Sequence, residues 1–326
     1  GVRSQYWDLN GQTIVSPRVQ LKFMPHWRHN VIFSASGGLY SQPPFYRELR
    51  DYNGVLNRNV KAQTSVHAVL GTDVTFKAWS RDFRFIGEVF YKYLDNLNPY
   101  EVNDVRIRYF GNNLAYGYAY GLDLRLYGEF VKDAESWISI SFLRTKENLY
   151  NDSYNIYINT VGDTIIPGYT LNDTVAGIIT NYPGMIPRPS DQLITFGLYF
   201  QDYLPILPDC KMNLGLILGT GMPFGPPNHQ RYQQVFRMPP YRRVDIGFSY
   251  QIIKASKTAM MKTDLKSGEK KARIVKSLWA GIEVFNLLQV NNTISYYWVK
   301  DVTGRSYAVP NYLTNRQLSV RLIAHF

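Results

Sequence analysis

The sequence predicts an all-β protein, an antiparallel transmembrane β-barrel, from its strand periodicity, its connection lengths and its aromatic content. Near the C-terminus, apolar residues alternate with mostly polar ones, which is the two-residue period of a strand with one apolar face. The apolar positions are Leu318, Val320, Leu322, Ala324 and Phe326. The same period recurs along most of the chain. In a membrane barrel the apolar face contacts lipid and the polar face lines the lumen.

Connections between the predicted strands alternate between short and long. Short turns are predicted at residues 80–82, 131–136 and 205–209, whereas residues 150–190 form one long loop. A loop of roughly forty residues is uncommon in a compact soluble domain. Long outer loops and short periplasmic turns are the rule for outer-membrane barrels, so the connections favour a barrel over a soluble sandwich.

The alternation predicts about eleven membrane strands, half of the 22 in a plugged outer-membrane transporter. They cover residues 18–23, 31–40, 70–76, 83–93, 118–130, 137–142, 194–201, 213–219, 243–252, 278–284 and 317–326. The alternation is clearest in 118–130, although that strand alone would also suit a soluble sheet packed on one side.

Two further expectations concern the segments outside these strands. Residues 1–16 are expected to be a poor strand, because Gly11 and Pro17 interrupt them. An odd number of strands, counted back from a periplasmic C-terminus, then places Gly1 on the outer side. A strand-like tract at 294–299 is expected to form a hairpin that rises above the membrane.

Composition is compatible with a barrel. Of the 326 residues, 15% are aromatic and 26 are Tyr, as expected for an aromatic girdle at each membrane interface. The sequence contains no run of eighteen or so apolar residues and therefore predicts no transmembrane helix. Its N-terminus has no signal-peptide pattern. A single cysteine, Cys210, allows neither an intrachain disulfide nor a cysteine-based metal site.

The net charge of +11 does not by itself indicate nucleic acid as a partner, because the basic residues are scattered over strands and loops. One local cluster lies in the polar connection 254–276. This connection is either a solvated turn or a binding element for periplasmic partners or anionic headgroups.

No pattern in the sequence predicts an enzyme. The five histidines are not framed by a G-x-S-x-G or H-E-x-x-H motif. We therefore expect no catalytic residues, no metal site and no cofactor.

Candidate ligand-binding residues lie in the predicted outer loops. Tyrosine and arginine side chains there suit stacking on, and charge pairing with, a bound solute, although loop aromatics equally suit interfacial anchoring. The candidates are Tyr46, Arg47, Tyr52, Tyr100, Arg106, Arg108, Tyr109, Tyr232 and Arg237.

Several short motifs occur in a characteristic order. They are Ser16-Pro17-Arg18-Val19, Tyr40-Ser41-Gln42-Pro43-Pro44, Gly111-Asn112-Asn113, Ala119-Tyr120-Gly121-Leu122-Asp123-Leu124, Tyr241-Arg242-Arg243-Val244-Asp245-Ile246-Gly247 and Val284-Phe285-Asn286-Leu287-Leu288. With these motifs the chain, from residue 18 to residue 326, resembles the C-terminal half of the barrel of a TonB-dependent receptor of the Bacteroidetes type. The terminal Phe326 resembles the assembly signal of bacterial outer-membrane proteins.

The resemblance implies active uptake of a large nutrient such as a metal chelate, a glycan or a peptide. It implies that residues 1–326 are a barrel portion, and that an N-terminal plug and the first half of the barrel are not in this chain. The implied location is the bacterial outer membrane, with the C-terminus at the periplasmic side.

The implied partners are outer-membrane lipid, the energy-transducing TonB complex acting through the missing N-terminal part, the barrel assembly machinery and a surface lipoprotein. Two alternatives remain open: a structural or secretion-linked barrel that acts as a scaffold, and a passive porin of about twelve strands.

Overall fold

A computed structural model describes residues 1–27, 30–131, 134–166, 169–204, 206–253 and 275–326. Within these ranges the chain is built of β-strands and loops with two short 3-10 turns, and it contains no α-helix. No helix among the described residues is long and apolar enough to cross a membrane.

The described strands, in chain order, are β1 (Val2–Trp7), β2 (Gln12–Phe23), β3 (Asn30–Gln42), β4 (Gln63–Ala78), β5 (Arg81–Leu97), β6 (Tyr100–Asn103), β7 (Arg106–Tyr109), β8 (Ala115–Val131), β9 (Ala134–Leu149), β10 (Tyr154–Asn159), β11 (Val175–Asn181), β12 (Ile186–Pro187), β13 (Ile194–Leu204), β14 (Leu207–Gly219), β15 (Pro223–Phe224), β16 (Phe236–Arg237), β17 (Tyr241–Ile253), β18 (Ser277–Phe285), β19 (Thr293–Lys300), β20 (Ser306–Tyr312) and β21 (Gln317–His325).

One large antiparallel sheet forms a wall. Among the described residues its order is β1-β2-β3-β4-β5-β8-β9-β13-β14-β17-β18-β21, and the short β12 pairs with β9. Strands β4, β5, β8 and β9 have 16 or 17 residues, more than the roughly 9–11 that cross a bilayer. The predicted all-β antiparallel wall is confirmed, and its longest strands extend beyond the thickness of a membrane.

The apolar face of the wall is the exposed one. Leu21, Leu70 and Val320 are 66%, 64% and 72% exposed, whereas a soluble sheet would bury such residues. The opposite face carries polar pairs such as Arg84 with Asp73 at 2.6 Å. A wide exposed apolar surface on a regular sheet requires a lipid or protein cover, which favours the membrane interpretation of residues 118–130 over the soluble one.

The prediction that residues 1–16 form a poor strand is wrong. Gly11 lies in the turn between β1 and β2 with φ of +67°, a conformation that glycine adopts without strain. Pro17 pairs with Val2 of β1, while the pairing of β2 with β3 stops at Arg18. The missing N–H of Pro17 therefore falls just beyond the end of the β2–β3 ladder, where proline is tolerated.

The extra strand also changes the position of Gly1. The amino group of Gly1 donates to the carbonyl oxygen of Arg18 at 2.8 Å, and the amide of Arg18 donates to the carbonyl oxygen of Gly1 at 2.8 Å. Gly1 thus lies beside the middle of β2 and not at the end of the wall that carries the long loops. The wall has twelve strands within the described ranges, against the expected eleven.

From β2 to β17, connections alternate between short and long, as predicted; the connection 254–276 between β17 and β18 departs from the pattern because it is long where a short turn would fall. The turn between β4 and β5 is formed by Trp79 and Ser80, both with positive φ, as in the tight turns that join adjacent strands. The long connections are residues 43–62, 98–114, 150–193, 220–240 and 286–316.

Most of the long connections carry small hairpins of their own. The hairpin expected at 294–299 is present as β19 and β20, and the loop predicted at 150–190 contains β10 paired with β11. Most of the basic connection, residues 254–274, lies outside the described residues, so its two interpretations stay open.

Candidate ligand site under the long loops

The long loops pack against one another at one end of the wall. In the loop after β5, Asp104 accepts a hydrogen bond at 2.9 Å from Ser295 of β19. In the loop after β14, the ring of Phe224 stacks on Tyr296 of β19 with centroids 4.3 Å apart. These contacts join separate connections into one layer, which we call the loop layer.

Buried ion pairs fix the loop layer to the wall. Glu147, at the loop end of β9, is fully buried. Its Oε1 accepts from Nε and Nη2 of Arg231 at 3.1 and 2.8 Å, and its Oε2 accepts from Nε of Arg188 at 3.2 Å. Because Glu147 follows the same alternation as Ser139 and Ser141 on the polar face of β9, the loop after β14 folds inward over the lumen side.

A second buried carboxylate, that of Asp191, fixes the C-terminal part of the same loop. Its Oδ1 accepts from the amide of Thr145 at 2.7 Å. The carboxylate also pairs with Arg237, and Arg144 lies 3.5 Å away. Arg237 was predicted to bind ligand, but its guanidinium is already engaged by Asp191 and by backbone oxygens.

Glu101 of β6 anchors the middle of the loop. Its Oε2 accepts from the amide of His229 at 3.2 Å and from Nε2 of Gln234 at 2.9 Å, and its Oε1 lies 3.1 Å from Nδ1 of His229. The ring of Tyr52 packs on the His229 ring with centroids 3.6 Å apart. Burial, and next the charge of Glu101, raise the pKa of the Tyr52 hydroxyl.

A cavity of about 400 Å³ opens between this loop and the segment that follows β9. One wall is a parallel pair of tyrosine rings, Tyr154 and Tyr232, with centroids 4.0 Å apart and planes within 6°. Asp152, His229 and Gln230 are among the polar residues that line it. The volume lies in the 300–1,000 Å³ range of ligand sites, which makes this cavity the candidate ligand site.

The structure brings some of the predicted ligand residues near this site. Tyr232 lines the cavity, and Tyr52 packs on His229, another lining residue. Arg108 stands opposite Glu101 in the β6–β7 hairpin, and Tyr100 pairs with Tyr109 in the same hairpin. The two tyrosine rings lie 5.6 Å apart.

Other predicted ligand residues lie elsewhere in the loop layer. Tyr46 is exposed, and its ring packs against the guanidinium of Arg50 at 5.0 Å. Arg47 is exposed in the same short 3-10 turn, and Arg106 is exposed where the β6–β7 hairpin turns. These side chains are open to solvent and do not line the cavity.

Sequence reasoning missed Asp152, Tyr154 and His229. Their local sequences carry no motif, since they lie on loops about 75 residues apart that meet only in the folded chain. One signal was present: residues 150–184 contain Asp152, Asp163 and Asp173 but no lysine or arginine. An acidic stretch of this length is unusual in a chain with a net charge of +11.

Two other features of the described residues bear on function. No group of three or more His, Cys, Asp or Glu side chains within them could hold a metal ion. A second concavity of about 300 Å³ lies on the polar face at the other end of the wall, lined by residues that include Tyr199, Lys211, Trp279 and Arg321.

No family model matches the sequence, and neither does any curated protein. Similar structures exist among outer-membrane import proteins. The ferric-catecholate import receptor Fiu from Escherichia coli K12 matches with a TM-score of 0.56 and 12% identity over 97% of this chain and 36% of the receptor. The FrpB iron transporter from Neisseria meningitidis matches with a TM-score of 0.53 and 12% identity over 95% of this chain and 39% of the transporter.

The copper transporter OprC matches with a TM-score of 0.52 and 10% identity, over 95% of this chain and 39% of OprC. The chain thus spans about two fifths of the length of these transporters. At these identities the likeness shows a shared fold, the wall of an outer-membrane transporter barrel, and function has to be argued from the site.

Proposed function

We propose that this chain is part of the barrel of an outer-membrane receptor that takes up a large nutrient, such as a metal chelate, a glycan or a peptide. The observation that carries the proposal is the wall itself. Its fold follows that of import receptors over nearly the whole chain, and its apolar face is exposed. The loop layer, folded inward over the polar face, supplies a cavity at the end where a solute would enter.

The remainder of the barrel lies upstream in this proposal. Within the described residues β1 and β21 each pair on one side only, and unpaired strand edges in lipid cost several kcal/mol per unsatisfied group. The first half of the barrel, preceding residue 1, would close the wall, and an N-terminal plug would occlude its lumen. The described strands form a linear order from β1 to β21, with β1 and β21 not paired to each other. This gives no support to a passive porin whose barrel is closed by the strands of this chain alone.

The partners and the orientation follow from the same proposal. The exposed apolar face contacts outer-membrane lipid, the TonB complex acts through the N-terminal part, and a surface lipoprotein covers the loops. The C-terminus faces the periplasm and carries the assembly signal, Phe326. The proposal that the receptor is of the Bacteroidetes type rests on the sequence motifs. The loop layer, at the opposite end of the wall, then faces the cell exterior, as the longer loops do in such barrels.

The experiment compares a strain that lacks the gene with its parent. Both are grown on single metal chelates, glycans or peptides, and accumulation of the labelled nutrient is measured with and without a protonophore. We expect the deletion to abolish energy-dependent accumulation of one class, and the full-length gene to restore it. Equal accumulation of all three classes by the two strains would contradict uptake.

A further inference from the structure

Resting on the proposed uptake function, we propose that the cavity beside Tyr154 and Tyr232 binds an amine or guanidinium group of the imported solute. The carboxylate of Asp152 is its counter-ion. The cavity therefore selects a cationic solute, such as a basic peptide, over an anionic metal chelate or a neutral glycan.

Asp152 is the side chain that points to a cation. Within the described part of the chain, its Oδ2 is buried and accepts no hydrogen bond. Burial raises the pKa of this carboxyl. A buried acceptor without a partner costs free energy in the empty site, and a buried carboxylate is stabilised when a cation pairs with it. A bound ammonium or guanidinium group beside this carboxylate would supply the opposite charge.

The cationic side chain in the lining, that of Arg231, is already engaged by Glu147, which also accepts from Arg188. Arg231 is only 1% exposed, its Nε and Nη2 donate to Glu147, and its Nη1 donates to Gln234. His229 is held against Glu101. An anionic solute would therefore meet the unpaired Asp152 without a free positive group to compensate for it.

The loop that supplies one side of the cavity is acidic in sequence. Its lining residues lie between Asp152 and Tyr157, and the whole segment 150–184 carries three aspartates and no basic residue. Acidic loops around a cleft raise the local concentration of cations and accelerate their capture.

Aromatic rings complete a site suited to a cation. Tyr154 and Tyr232 stack in parallel at 4.0 Å, and Tyr157 also lines the cavity. Tyrosine faces attract ammonium and guanidinium groups through their quadrupole. The amide oxygen of Asn155, also in the lining, accepts from Thr180 and has a second lone pair that can accept from such a group.

The test uses the full-length protein in detergent and isothermal titration with four probes of equal length: tetralysine, tetra(Nε-acetyl-lysine), tetraglutamate and maltotetraose. We expect tetralysine to bind most tightly. Asp152→Asn should weaken tetralysine binding about tenfold or more, the loss of one partly buried ion pair. Asp152→Glu should restore part of the affinity. Asp173→Asn, the same change at an exposed position of the same loop, is the matched control and should leave binding unchanged.

Tetralysine binding no tighter than that of the acetylated peptide, or equal in wild type and Asp152→Asn, would overturn the inference. Tighter binding of maltotetraose or tetraglutamate would overturn it as well. The uptake proposal is judged separately by the gene-deletion strain. If that strain fails to accumulate a neutral or anionic nutrient, the result supports the uptake proposal and contradicts the cation site. If the strain accumulates every nutrient normally, the result contradicts the uptake proposal.

Discussion

At the scale of single residues, polar side chains replace backbone partners where the chain leaves the wall. The side-chain amide of Asn113 accepts from the amide of Lys61 at 2.7 Å and donates to the carbonyl oxygen of Lys61 at 3.1 Å. Asp245 accepts from the amide of Asn286 at 2.9 Å. These motif residues, which prompted the family resemblance, therefore fix one loop to another or a loop to a strand, because short amide and carboxylate side chains mimic backbone groups.

Glycines on the polar face of the wall accommodate aromatic rings from the neighbouring strand. Gly121 is the register partner of Phe90, and a Cβ added at Gly121 would lie 2.6 Å from Cζ of Phe90 and would also overlap the carbonyl oxygen of Phe142. A ring laid over glycine in this way supports a sheet position that has no side chain of its own.

Gly121→Ala should lower the free energy of unfolding by about 1–3 kcal/mol, the usual cost of overpacking. The measurement is urea unfolding of the full-length protein in lipid vesicles. Gly215→Ala is the control, since its added Cβ would meet Asp245 at an ordinary 3.7 Å. We expect the stability of that variant to be unchanged or slightly raised, because alanine lowers the conformational entropy of the unfolded chain relative to glycine. Equal effects at the two positions would contradict the close approach at Gly121.

At the scale of elements, each wall strand separates two environments. In β4, Leu70 lies midway along the strand on the exposed apolar face, and Val69 faces the polar side. The two adjacent positions differ mainly in the face of the sheet to which their side chains point, which makes them a matched pair.

Leu70→Arg should cost about 2–4 kcal/mol in lipid, as expected for arginine near the bilayer midplane, and Val69→Arg should cost clearly less. The comparison is made by unfolding both full-length variants in vesicles of one lipid composition. If Val69→Arg proves the more damaging change, the assignment of the lipid-facing side is reversed.

The loop after β14 behaves as an element in its own right, because buried carboxylates hold its middle and its C-terminal part. Arg231 is central, since it joins the loop to Glu147 of the wall. Removing one partner of a buried ion pair leaves a charge that is not compensated, at a cost of about 3–5 kcal/mol.

Arg231→Leu should therefore detach this loop while the wall stays folded, since the strand ladders do not depend on it. Hydrogen exchange of residues 225–236 should accelerate markedly, and exchange in β13 and β14 should not change. Arg106→Leu, at an exposed position of the β6–β7 hairpin, is the control and should leave both regions unchanged. Protection of the loop in Arg231→Leu equal to that of the wild type would show that the ion pair does not hold it.

At the scale of the whole molecule, the described wall is a sheet with two open edges, and the last residue lies at one of them. Phe326 is 72% exposed, so its ring contributes little packing to β21. A large effect of its removal would have to come from recognition during assembly and not from lost stability.

Deleting Phe326 should strongly reduce the amount of folded full-length protein in the outer membrane, while export across the inner membrane continues. Heat-modified mobility on gels measures the folded fraction, and periplasmic protease sensitivity detects the unassembled chain. Phe326→Tyr retains an aromatic terminus and should assemble normally. Unimpaired assembly of the deletion variant would remove the assembly-signal interpretation.

The sequence alone determined the architecture of the wall. Period-two alternation is a local property, because each strand must present its own apolar residues to one side. The strands from β2 to β21 in the wall, their antiparallel order and the alternation of short and long connections could therefore be predicted. The strand β1 and the first half of β2 were missed because Gly11 and Pro17 argue against strands there unless the β1–β2 turn and the end of the β2–β3 ladder are known.

Only the tertiary structure decided which loop residues meet. Arg237 and Tyr232 looked alike in the sequence as candidates for ligand binding, but Arg237 is engaged by buried Asp191 and Tyr232 lines a cavity with Tyr154. Asp152 and His229 lie far apart in the chain and come together around that cavity. Loops have no period that fixes their partners. Their positions depend on long-range ion pairs, such as that of Glu147 with Arg231, which a local pattern does not encode.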